Sequence, residues 1–137
     1  GRQDGIYGQN AGELGSAQEF TIAPNGDYII VDNERVQRCP PNGAGCVNVL
    51  TKVDLPWQIC GVRSASLDPV GRYVVSCDHP GDKLRRYHLN DSGSWEYEKL
   101  PFDVAKMGHG MHTHALAPNG DIWAGMDAGV WHLNISS

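Results

Sequence analysis

Hydrophobic positions in this chain fall in short runs of four to six residues, separated by clusters of Pro, Asn, Gly and Asp. No segment of helical length carries apolar residues at helical spacing, so the pattern predicts an all-β protein. PNGDYIIVDNERVQRC (24–39) shows the unit: turn residues, a branched and aromatic run, an aspartate, then a second alternating run. The same order occurs three times, as APNGDYIIVD (23–32), DPVGRYVVSCD (68–78) and APNGDIWAGMD (117–127). Pro24, Pro69 and Pro118 are spaced 45 and 49 residues apart, a period that belongs to propeller blades and other repeat arrays.

Each copy extends in the same way. A short apolar segment precedes the turn (Phe20–Ala23, Ala65–Asp68, His114–Ala117), and an alternating one follows the aspartate (Arg35–Cys39, Leu84–Leu89, Gly129–Leu133). A fourth segment appears twice, at Cys46–Leu50 and Trp95–Leu100. The expectation is a β-propeller segment of about three four-stranded blades, at 16–50, 60–100 and 109–137. The third copy lacks an outer strand of its own, and residues near Gly5 to Gly8 are the segment available to supply it. Closed propellers have about four to eight blades, so three form an incomplete ring. Two chains complete a six-bladed ring, or the chain belongs to a longer propeller. Open blade faces are expected to turn Ile29, Ile30, Val74, Val75, Ile122 and Trp123 toward water, which calls for self-association or a protein partner.

PNGDYIIVDNERVQRC resembles the NHL repeat, whose blades carry a Gly-Asp or Gly-Asn turn, an aliphatic strand ending in Ala-Asp or similar, and then Arg-Ile/Val-Gln. The residues that carry the likeness are Gly26, Asp32, Arg35, Val36 and Gln37. Cys39-Pro40 followed by Cys46 and Val49 is similar to a cysteine-bearing variety of the repeat found in tandem arrays of unicellular algae and related protists. The second copy keeps Gly71, Asp78 and Arg85 without the compact Asn-x-Arg spacing. The third, HTHALAPNGDIWAGMD, is more similar to the virginiamycin B lyase-like blade, with His before the first strand and Trp in the second. The resemblance implies a propeller fold; propellers host many activities, so it fixes none.

Eleven Lys and Arg against sixteen Asp and Glu leave a net charge of −5 with no concentrated basic patch, which argues against nucleic acid as a partner. No apolar run approaches the length of a membrane span, and GRQDGIYGQN lacks the order of a signal peptide, so a soluble piece is expected. The four cysteines suggest two local bridges. Cys39 and Cys46 flank the turn-rich PPNGAG, and Cys60 and Cys77 flank LDPVGR, so each pair can close within one hairpin. The alternatives are free thiols or a zinc site, although neither pair has CxxC spacing. Disulfides place the chain in an oxidising, secreted or lumenal compartment, and the sequons at Asn90 and Asn134 agree with that as glycosylation candidates.

Candidate chemistry centres on His109, His112 and His114 in GHGMHTH. Residues two apart in a strand share a face, so His112 and His114 can present imidazoles together, with His109 approaching from the glycine-rich side, as a zinc or acid–base site. Lyases of this repeat type draw zinc-binding histidines from several blades. Here the matching positions hold Gln18 and Phe20 in the first copy and Arg63 and Ala65 in the second, which departs from that pattern. Asp32, Asp78 and Asp127 recur at strand ends; calcium is one reading, and recurrence in every blade favours turn capping instead. Trp123 aligns with Ile29 and Val74 and fits packing between blades, whereas Trp57, Trp95 and Trp131 mark contact surfaces wherever they are exposed. Lys83, Arg85 and Arg86 form the one basic knot, read as a solvated strand. No nucleophile elbow, P-loop, HExxH or EF-hand loop is present. The expected function is a non-catalytic interaction or scaffold module, in one version an extrinsic subunit clamped on a larger assembly. The alternative is a metal-dependent lyase or hydrolase built on the histidines.

Overall fold

The computed structural model describes residues 17–32, 35–51, 53–55, 62–77, 83–100, 111–127 and 129–134. In chain order the strands are β1 (Ala17–Ile22), β2 (Tyr28–Asp32), β3 (Arg35–Cys39), β4 (Val47–Leu50), β5 (Val62–Leu67), β6 (Tyr73–Cys77), β7 (Lys83–Leu89), β8 (Trp95–Lys99), β9 (Met111–Leu116), β10 (Ile122–Met126) and β11 (Gly129–Leu133). They form three antiparallel meanders, β1-β2-β3-β4, β5-β6-β7-β8 and β9-β10-β11. The first strands lie together, β5 packing against β1 on one side and β9 on the other. These sheets are three blades, with β1, β5 and β9 innermost. The strand expected from Gly5 to Gly8 lies outside the described residues.

One turn recurs in every blade and explains the Pro–x–Gly spacing. Ala23, Asp68 and Ala117 each accept a bond from the glycine three residues on and donate to the carbonyl four residues on. Gly26, Gly71 and Gly120 take φ of 93°, 92° and 93°, the left-handed region that side chains with a Cβ avoid. Asn25 and Asn119 each accept the backbone N–H of Asp27 and Asp121, while Asp68 accepts those of Val70 and Arg72. The polar turn residues thereby set the register of the strands on either side.

Cross-strand register assigns each side chain to one of two blade faces. We call "front" the face of a blade turned toward the following blade and "back" the face turned toward the preceding one. The front of blade 1 (Ile29, Val31, Val36) meets the back of blade 2 (Ala65, Tyr73, Val75, Tyr87) in one apolar core. The front of blade 2 (Val74, Leu84) meets the back of blade 3 (Ile122, Ala124, Met126, Leu133) in a second. Ile29, Val74, Val75 and Ile122 are therefore buried, contrary to their expected exposure. They lie at the two internal junctions, not at the open ends. Trp123 is different: it lies on the front of blade 3 and is 45% exposed.

The basic knot is also not a solvated strand. Arg86 is buried and bonded to Glu98, and Arg85 stacks 3.8 Å over the Tyr97 ring, while the Lys83 side chain lies outside the described residues. Matched positions on the third strands behave alike: Arg38 binds Asp27 at 2.7 Å, and His132 binds Asp121 at 3.0 Å. In blade 2 an arginine, Arg72, replaces that aspartate and pairs instead with Asp68, leaving Arg86 to Glu98. Cys39 and Cys46 are joined in a disulfide, with Cα atoms 4.2 Å apart. Cys77 is disulfide-bonded as well, and Cys60, its expected partner, lies outside the described residues.

Candidate functional site

Of the three candidate histidines, His109 lies outside the described residues, as does the His112 side chain. His114 is described, and it is buried at the junction of blades 2 and 3. Ser64 and Ser66, two apart on β5, project from the front of blade 2, and Ser76 stands opposite Ser64 on β6. His114 Nδ1 lies 2.6 Å from Ser64 Oγ and 2.9 Å from Ser76 Oγ, and Nε2 lies 3.0 Å from Ser66 Oγ. The two hydroxyls of Ser64 and Ser76 are themselves 2.7 Å apart. A neutral imidazole has one donor and one acceptor, and the serine hydroxyls serve as either, so the cluster satisfies itself. Burial pushes the His114 pKa down to about 4, opposed by a hydrogen bond to the backbone of Val74; the ring is neutral at physiological pH.

This arrangement has the contacts of a serine–base pair without access to a substrate, because Ser64 and Ser76 are fully buried. Both ring nitrogens already face hydroxyls, so His114 does not stand in a ligand position. Among the described residues, no three His, Cys, Asp or Glu side chains converge in a way that would hold a metal ion. Asp127 lies in an exposed turn after β10, whereas the Asp32 side chain and Asp78 lie outside the described residues. Trp57 lies outside them too. Trp95 is half-buried edge-on against Tyr73, at 5.1 Å between ring centroids, and Trp131 is exposed. Asn90 caps its own turn, its Oδ1 accepting the N–H groups of Ser92 and Ser94 and its Nδ2 donating to Glu96. Asn134 is exposed just past β11.

The three serines went unnoticed in the sequence. Their signal was Ser-x-Ser on an inner strand facing a third serine, a polar patch on a face that the repeat requires to be covered.

A second concave feature lies where the inner strands end. A cavity of about 440 Å³ is lined by the same repeat positions from each blade: Thr21, Ser66 and Ala115; Ile22, Leu67 and Leu116; Pro24, Pro69 and Pro118. Between blades 3 and 1, Thr113 Oγ1 donates to the Glu19 carboxylate at 2.9 Å. None of the side chains lining the cavity titrates, so it suits an apolar group and offers no acid–base chemistry.

The strand order, the radial packing of the inner strands and the repeated turn define the class as a β-propeller. A solved structure of virginiamycin B lyase from Staphylococcus aureus matches with a TM-score of 0.53 and 16% identity, over 89% of this chain and 42% of that one. The chain thus spans less than half the length of that lyase, and at this identity the likeness concerns the fold alone. No protein-family model matches the chain, and no curated protein does.

Proposed function

We propose that the chain is a non-catalytic interaction module: a segment of NHL-like propeller blades that docks through its uncovered blade faces onto protein. One contrast carries this reading. At the matched front positions, Ile29 and Val74 are 0% and 1% exposed, whereas Trp123 is 45% exposed; Val36 and Leu84 are buried, whereas Val130 is 71% exposed. A sequence that places Trp and Val where its own repeats place buried residues fits a face that is covered in the working assembly. The buried His114 cluster and the apolar axial cavity agree with a rigid docking body more than with a reaction centre. The Cys39–Cys46 disulfide favours an oxidising setting, such as an extrinsic subunit in a secreted or lumenal space. The lyase or hydrolase alternative has to find its donors in His109, His112 and groups other than His114.

The test is affinity purification of the tagged chain from its native source, with Trp123→Asp and Val130→Asp together as the comparison. The wild-type chain is expected to carry a stoichiometric protein partner, itself included, that the variant loses. A wild-type chain that purifies alone, or a variant that keeps the same partner, contradicts the proposal.

A further inference from the structure

Inner-strand residues at the blade junctions follow a knob-and-socket rule. The knob is a back residue of one blade: Phe20, Ala65 and His114 are matched, each opposite the second strand at Ile30, Val75 and Ala124. The socket is formed by three front residues of the preceding blade: Glu19, Thr21 and Val31; then Ser64, Ser66 and Ser76; then Thr113, Ala115 and Gly125. At the first junction a small knob, Ala65, meets a large socket, and Thr21 Oγ1 donates to the Ala65 carbonyl at 2.8 Å. At the second a large knob, His114, fills a socket of three serines. Close packing requires this inverse matching of volumes, since a large knob on a large socket overpacks and a small one on a small socket leaves a void.

Among the described residues, two halves have no neighbouring blade packed against them. The knob on the back of blade 1 is Phe20, large, apolar and 64% exposed. The socket on the front of blade 3 is small. A Cβ on Gly125 would meet the Thr113 methyl at 3.3 Å, the Thr113 hydroxyl is taken up by Glu19, and Ala115 completes the hollow. It lacks the hydroxyl triad that suits an imidazole, so its surface suits an apolar ring. The flanking residues follow suit: Ile22 and Tyr28 beside Phe20, and Trp123 with Val130 beside the socket, all at least partly exposed.

We infer that the partner on the open front of blade 3 is the back of blade 1 of a second copy of this chain, with Phe20 seated over Thr113, Ala115 and Gly125. The same contact made twice, head to tail, closes a six-bladed ring, within the usual range of about four to eight. This rests on the reading of the chain as an interaction module and commits it to self-association.

Internal junctions give the register for a test. Ser66 Oγ and His114 Nε2, on the residues matched to Ala115 and the second copy's Phe20, approach to 3.0 Å, and the imidazole spans most of that junction, so cysteines at 115 and 20 of different chains should face each other across a gap that a short bismaleimide bridges. Ala115→Cys and Phe20→Cys chains, mixed with the bismaleimide, are expected to link to each other, while neither variant links to itself. The chain carrying both substitutions is expected to give a covalent dimer and no higher ladder. Phe20→Asp and Trp123→Asp, both exposed and therefore compatible with folding, should each weaken association at least tenfold by sedimentation equilibrium. Failure to link, self-linking of Ala115→Cys, or a ladder overturns the inference. A chain that stays single but holds a different protein on the Trp123 face overturns it as well, while leaving the docking function in place.

Discussion

Acid should loosen the junction between blades 2 and 3, and His114 sets by how much. In the folded chain the imidazole has a pKa of about 4 against an ordinary value of 6.5. Between those values the unfolded chain binds a proton that the folded chain does not, so stability rises with pH across that window. The contribution of His114 is therefore complete above the unfolded value, falls as pH drops through 6.5, and levels off below the folded value. A shift of this size corresponds to about 3 kcal/mol at roughly 1.4 kcal/mol per unit, a large share of the 5–15 kcal/mol that typically stabilises a domain. The facing groups from β5 and β6 are Ser64, Ser66, Ser76 and the Val74 backbone, none of which titrates in this range. Urea unfolding of the wild-type chain and of His114→Gln, at intervals from pH 7.5 to 4, isolates the effect. The glutamine keeps a donor and an acceptor but does not titrate, so the stability difference between the chains should shift by about 3 kcal/mol across the range. Parallel pH profiles for the two chains would refute the reasoning.

Three further outcomes follow from local geometry. Gly120→Ala, at φ 93°, should cost about 1–2 kcal/mol through the left-handed backbone alone, seen as a lower thermal midpoint; an unchanged midpoint would contradict the turn assignment. Cys46→Ser opens a bridge between cysteines seven residues apart and should cost about 2–3 kcal/mol from restored unfolded-state freedom, measured by denaturant unfolding against the wild-type chain under oxidising conditions. Glu98→Gln removes the charge facing buried Arg86 and should destabilise more than Glu96→Gln at an exposed His88 contact, because an arginine without its counter-charge is costly only where water is excluded; equal effects would show that Arg86 is hydrated.

The architecture was legible because its cause is local and repeated. Turn residues at fixed spacing, with a glycine wherever the backbone turns left-handed, announce themselves at Gly26, Gly71 and Gly120 before any contact is known. The roles of side chains were less legible, because they depend on which face meets which blade. His114 looked like one of a ligand set until β5 brought Ser64 and Ser66 against it, from 50 and 48 residues away. Arg86 looked solvated because its partner Glu98 sits on the next strand, in register but twelve residues on. Ile29 and Val74 looked like candidates for an open end. Only the pairing of fronts with backs distinguishes them from Trp123, which holds the same repeat position on the last face.

The central claim is that a second copy of the chain covers the end faces, and sedimentation velocity of the purified chain at micromolar concentration tests it most directly. The account predicts a species heavier than the 14.9 kDa chain, reduced to single chains by Trp123→Asp. A single chain of 14.9 kDa that melts cooperatively, with Trp123 and Phe20 left in water, would contradict it.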